Sequence, residues 1–318
     1  MKTVAQSILD DLATALEGTG LKMSRESMTL VVRHENNFLT RVAIVDPEEE
    51  VDSSMGSIET VIQVRTDLPR EVARMMAAKE KAPAVINRMA TLGALTFDGD
   101  DVFVGSRLTV LESDNAWNIQ GPLVLLSISA AEDILRAPRK ALTGQPNGNG
   151  KSAWGTRDFE QVEAIFSQRC VCVGEEHGVT AEFALDTVNA EPALETGLVE
   201  VTAGGGGTAL WKIVSDEPHP AIGGGLFCML ELPHRLRGEP WLSQVLQQLN
   251  ELEMQAEPLP PHFGAWCAGT LGDNPAYVSF LPNALHDAAP GIAANMTAWA
   301  LGRAEWANIT LASFGVSR

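Results

Sequence analysis

The sequence predicts an α+β protein made of two tandem domains, each ordered α-β-β-β-α-β-β-α, with an antiparallel sheet packed by helices. Three observations carry this. The chain has 318 residues, enough for two domains. One Gly/Asn/Pro-rich stretch, Gly144–Gly155 (GQPNGNGKSAWG), divides it nearly in half. The same succession of helical and strand-like patterns then appears on both sides. The resulting division is 1–143, a linker over 144–155, and 156–318.

The first half opens on a helix. Val4, Ile8, Leu9, Leu12 and Leu16 share one helical face, and Gly18 and Gly20 end it. Three strand-like runs rich in β-branched residues follow, at Met28–Arg33, Phe38–Val45 and Ile58–Arg65. Asn36-Asn37 reads as a tight turn, and Asp46–Gly56 as an exposed acidic loop. Pro69 suits the first position of a second helix carrying Val72, Met75, Met76, Val85, Ile86 and Met89, with Pro83 kinking it. Ala94–Asp98 and Val102–Leu111 form a hairpin around Gly99-Asp100. A helix starting at Pro122 closes the half.

The second half repeats the order. Phe159, Val162, Ile165 and Phe166 mark the opening helix. Strand-like runs lie at Val179–Leu185, Gly197–Thr202, Ala209–Val214 and Leu226–Leu232. A helix from Pro240 carries Trp241, Val245, Leu246, Leu249 and Leu252. Ala265–Thr270 and Tyr277–Leu281 flank a Gly272-Asp273-Asn274 turn, and the last helix starts at Pro290. The match extends to residues: Phe38–Pro69 lies over Ala209–Pro233, Ile86-Asn87 over Leu249-Asn250, and Gly93-Ala94-Leu95 over Gly264-Ala265-Trp266.

Charge narrows the function classes. The formal net charge is −18, with 15 basic and 21 acidic residues in 1–140 and the remaining 8 and 20 in 141–318. Such a surface repels phosphate backbones and anionic lipid, so neither nucleic acid nor membrane is an expected partner. Asp10 and Asp11 interrupt the apolar core that a signal peptide needs, and no run reaches the length of a membrane span. The four dispersed cysteines (Cys170, Cys172, Cys228, Cys267) do not make a disulfide framework. The expected location is the cytoplasm.

The motifs yield no catalytic constellation. GNGKS (Gly148–Ser152) has Gln145 where a phosphate loop needs its first glycine. Gly204–Gly207 and Gly223–Gly225 sit between strand-like runs, where hairpin or bulge glycines belong. Cys170, Cys172 and His177 lack the second pair of a zinc site, and alternation along Arg169–Gly174 buries the thiols. His219 and His262 stand beside prolines in loops, which points to surface or turn roles. No catalytic residue, metal or cofactor is assigned. Trp241, Trp266, Trp299 and Trp306 crowd the last third of the chain. They fit either a core between the halves or an aromatic surface that grips a polypeptide, and we take them as the candidate partner-binding residues.

The order of elements, together with VINRMATLGALTFDGDDVFVGSRL (residues 85–108), resembles the type III secretion chaperone fold and related YbjN-type domains of bacteria. The resemblance covers each half once. It implies a non-enzymatic, chaperone-like protein that covers apolar segments of a polypeptide partner. Chaperones of this type are usually small acidic homodimers, so two copies in one chain imply a monomer with an intramolecular pseudo-dimer. The alternatives are a hydrolase-type enzyme with its site in the cleft between the halves, and a structural subunit of a larger assembly.

Overall fold

The structure is a computed structural model. It describes residues 4–19, 21–34, 38–45, 52–53, 56–70, 73–74, 86–88, 92–99, 101–111, 121–128, 153–166, 170–175, 178–185, 207–219, 223–236, 239–255, 260–270 and 272–315. Helix α1 (Val4–Glu17) buries Ala5, Ile8, Leu9, Leu12 and Leu16, the stripe that its 3.6-residue spacing creates. It covers the first sheet, formed by β1 (Lys22–Glu26), β2 (Thr29–Arg33), β3 (Leu39–Val45), β4 (Asp52–Ser53), β5 (Gly56–Asp67), β6 (Ala94–Asp98) and β7 (Asp101–Leu111). The strand order is β1-β2-β3-β5-β7-β6, with β4 beside β5 and every pairing antiparallel.

In the second half, α2 (Thr156–Phe166) precedes β8 (Cys170–Glu175), β9 (Gly178–Ala184), β10 (Thr208–His219) and β11 (Gly223–Glu231). Then come α3 (Glu239–Gln255), β12 (Ala265–Ala268), β13 (Pro275–Pro282), a single 3₁₀ turn at Asn283–Leu285, and α4 (Ile292–Ser313). The second sheet is antiparallel with the order β8-β9-β10-β11-β13-β12. Setting the short β4 aside, this is the first sheet's order strand for strand.

The registers agree as well. Leu39 faces Asp67 across β3 and β5, as Leu210 faces Glu231 across β10 and β11. Just past those strands, the Leu68 N–H donates to the Val102 carbonyl at 2.9 Å, and the Leu232 N–H to the Pro275 carbonyl at 3.0 Å. Asn87 clamps the backbone of Leu95, accepting from its N–H at 2.6 Å and donating to its carbonyl at 3.2 Å. Asn250 clamps Trp266 in the same way, at 2.8 and 3.0 Å.

The expected order omits β1 in the first half and β8 in the second, and the short β4 falls inside the stretch Asp46–Gly56 expected to be a loop. β1 (KMSRE) is polar and mostly exposed, so hydrophobic alternation does not announce it. It is held by its hairpin to β2, with Glu26 opposite Thr29 and Ser27 in the left-handed region at φ 55°. Met28 accordingly lies in a turn and not in a strand. β8 is the matching addition in the second half. Gly99 has φ 59° between the paired Asp98 and Asp101, which is the predicted hairpin. The expected run Gly197–Thr202, the linker before residue 153, and most of the helices expected after Pro69 and Pro122 lie outside the described residues; 73–74, 86–88 and 121–128 are helical. Among the described residues, no helix is long and apolar enough to cross a membrane.

Candidate functional site

The four tryptophans part company. Trp266 on β12 is fully buried, and Trp299 on α4 is nearly so. Trp266 stacks edge-on against Tyr277, and Trp299 against Phe263. Both are core residues with no ring face to offer a partner, because their strand and helix turn them inward onto the sheet; that corrects the expectation for this pair. Trp306 is half-buried against the same core. Trp241, in the first turn of α3, is 40% exposed and is the accessible member of the four.

The densest polar cluster lies where the halves meet. The segment just before β12 runs alongside β7, beyond the end of β6. There the Arg107 and His262 backbones exchange hydrogen bonds of 2.7 and 2.6 Å, and the Gly93 N–H donates to the Phe263 carbonyl at 2.7 Å. The second half thus lends a short extended piece to the first sheet. Arg107 reaches across the same seam. Its Nε donates to the Glu253 carbonyl at 2.7 Å, its Nη2 to the Pro260 carbonyl at 3.1 Å, and its Nη1 to Thr109 Oγ1 at 2.9 Å.

Glu253, near the C-terminal end of α3, is the hub. Its carboxylate accepts from Arg303 Nε at 2.8 Å, Trp266 Nε1 at 2.9 Å and His262 Nδ1 at 2.6 Å. Arg303, on α4, also donates to the Pro261 carbonyl at 2.6 Å and lies 3.8 Å over the Tyr277 ring. Tyr277 Oη accepts from the Gly264 N–H at 2.7 Å and sits 3.2 Å from His262 Nδ1. All of these residues are at most 2% exposed.

Burial alone would push the Glu253 carboxyl up, but the Arg303 charge and the contact with His262 overcome it and hold the group at about 2. Burial pushes His262 down, and the Arg303 and Arg107 charges act in the same direction against the attraction of Glu253. The imidazole is therefore neutral, with its proton on Nδ1. Desolvation pushes the Tyr277 hydroxyl up. His262 Nε2 is buried with no hydrogen-bond partner among the described residues.

A carboxylate aligned on an imidazole is also the arrangement that orients a general base. Here the second nitrogen faces packed protein, since His262 is 0% exposed. What the cluster does is fix α3, α4, the segment before β12 and β7 to one another. Removing one member of such a set strands a charge in the interior.

Compared with family models, curated proteins and solved structures, the chain has no significant match.

A second polar knot closes the β12–β13 turn. Buried Glu231 accepts from Asn274 Nδ2 at 2.7 Å, and from the Thr270 N–H and hydroxyl at 3.1 and 2.7 Å. Cys228 and Cys267 are free, buried thiols, and burial pushes Cys267 up to about 12, whereas the burial expected of Cys170 and Cys172 falls on side chains outside those described. Cys170 and Cys172 belong to β8. Gly223 opens β11 opposite His219 at the hairpin end with φ 87°, a hairpin glycine and no part of a phosphate cradle. His219 and His262 are both buried, against the reading of loop histidines at the surface. Adjacent prolines mark a break in secondary structure, which is a separate matter from exposure. Arg107, Glu253, Tyr277 and Arg303 carry no local signal of their role, because they meet only through contacts as distant as 153 residues along the chain.

Proposed function

We propose that this is a non-enzymatic, chaperone-like protein that binds a polypeptide partner, with the two halves of one chain supplying the paired unit. The observation that carries this reading is a contrast in exposure. The converging titratable groups are sealed in the seam between the halves, while the large apolar side chains turned to solvent include Trp241 on α3 and Ile309 on α4, at 40% and 46% exposure. Helix α3 packs on β12 of its own half and on β6 of the other, so Trp241 sits on the element that ties the two together. An exposed aromatic on a chain of net charge −18 suits an apolar, basic segment. The buried free thiols of Cys228 and Cys267 favour a reducing compartment, and we place the protein in the cytoplasm.

The rival reading, an enzyme acting between the halves, has its converging groups in Glu253, His262 and Tyr277 but needs an entrance to them. The test is a holding assay with a basic, aggregation-prone protein such as reduced lysozyme, followed by light scattering. Stoichiometric protein should suppress the scattering, and Trp241→Ala should weaken the effect several-fold while leaving the thermal midpoint in place. No suppression by the unmodified chain, or equal suppression by Trp241→Ala, would overturn the reading.

A further inference from the structure

The strip Pro260–Phe263, which joins the second half to β7, is a slight attachment centred on a histidine. Among the described residues, three backbone hydrogen bonds hold it to the first half: His262 exchanges two with Arg107, and the Phe263 carbonyl accepts one from the Gly93 N–H. Pro260 and Pro261 have no N–H to add to that ladder. The sheets themselves are held by longer ladders, with β5 paired to β7 from Thr60 to Asp67 and β10 to β11 from Leu210 to Val214. Charge encloses the His262 ring. Glu253 of α3 accepts from Nδ1 at 2.6 Å, Tyr277 Oη of β13 lies 3.2 Å from the same nitrogen, and the guanidiniums of Arg303 on α4 and Arg107 on β7 act on the ring. Arg107 and Arg303 also donate to the Pro260 and Pro261 carbonyls, at 3.1 and 2.6 Å, just ahead of His262 in the strip. Nε2 is buried and has no hydrogen-bond partner among the described residues. A proton placed there makes a donor with nothing to accept it, and adds a positive charge beside two guanidiniums.

We propose that His262 is an acid-sensitive latch, whose protonation lifts the strip Pro260–Phe263 off β7 while both sheets stay folded. The titrating residue is the one that makes the pairing, since its own N–H and C=O are the groups bonded to Arg107. Water reaches Nε2 only when the strip leaves β7, so the open form is the one that takes up the proton. An imidazole has an ordinary value of 6.5, and burial together with the two arginines keeps the closed form from following it. Opening therefore grows as pH falls through 6.5, by up to about thirty-fold between pH 7.5 and 5. Glu253 adds little in that window, because its ordinary value is 4.5. The lifted strip leaves the N–H and C=O of Arg107 free at the edge of β7. The latch is independent of the function proposed above, because it involves neither Trp241 nor a polypeptide partner.

Hydrogen exchange of the full-length chain from pH 7.5 to 5, corrected for the intrinsic rate at each pH, tests this. The reporters are the Gly93, Arg107 and His262 amides, which make the three bonds of the strip, and the controls are the amides of β3 and β10. Local release predicts reporters less protected than the controls, with protection falling by up to about thirty-fold over the range. Reporters that exchange together with the controls overturn the proposal, because the strip then leaves only when the whole chain unfolds. Protection at the reporters that does not change with pH overturns it as well. In His262→Gln the reporters should lose their pH dependence, and a dependence that persists in this variant overturns the assignment to His262. Should His262→Gln fail to fold, the exchange pattern of the unmodified chain still decides between local release and none.

Discussion

Glu253 holds three donors from three separate stretches of chain, and its carboxylate offsets the charge of Arg303 in a site without water access. Glu253→Gln keeps the shape but leaves the guanidinium buried without its counter-charge. We expect a loss of about 3–5 kcal/mol in urea unfolding, with no new ligand needed to explain it. The Asn clamps make a paired prediction. Asn250→Ala strips both hydrogen bonds from the buried Trp266 backbone, and Asn87→Ala does the same to Leu95. Each should cost about 1–3 kcal/mol, and similar losses would show that the two clamps do the same work. The clamps illustrate what was legible at this scale. Ile86-Asn87 and Leu249-Asn250 stand out in the sequence because both precede a Gly-Ala step, whereas Arg107 and Glu253 have no such shared context. Tryptophan content was legible and tryptophan exposure was not: being large and apolar places a ring near a core or an interface, and only packing chooses between them.

Elements were more readable than residues. β6 has the bounds expected of it, and β3, β5 and β7 lie within two residues of expectation, because half-buried strands alternate and their ends carry turn residues. β1 escaped for the opposite reason: a charged edge strand has no inner face to advertise. The close approach at the start of β12 gives the prediction for this scale. A Cβ on Gly264 would come within 2.2 Å of the Val278 carbonyl oxygen, and the Gly264 N–H is the donor that positions Tyr277 Oη. Gly264→Ala should therefore force β12 away from β13 and cost about 1–3 kcal/mol. The accompanying sign should be faster hydrogen exchange of the Trp266 amide, and unaltered exchange there would count against the close contact as the cause.

At the scale of the molecule, the seam sets the response to acid. His262 is neutral when folded and has an ordinary value of 6.5 when unfolded, so below pH 6.5 the unfolded chain takes up a proton that the folded chain refuses. Glu253 has an ordinary value of 4.5 and a folded value of about 2, so its contribution is present above 4.5 and is lost as pH falls toward 2. Both act in one direction: stability should fall on acidification, beginning near pH 6.5, by up to about 1.4 kcal/mol per pH unit for each proton taken up. Urea midpoints from pH 7.5 to 5 should show this, and His262→Gln should flatten the curve between 6.5 and 5. That the chain holds two like sheets was legible from its repeated punctuation. How they join was not, because the joint is made of singular residues that the repeat does not duplicate: Phe280 occupies in β13 the place that Arg107 has in β7.

The strip of the second half that lies along β7 has a practical consequence. Its backbone bonds to Gly93 and Arg107 are independent of the covalent connection through 144–155. A protease that severs that connection should yield two bands on a denaturing gel and an undiminished hydrodynamic radius in native buffer, with the pieces separating only once the cut molecule is denatured.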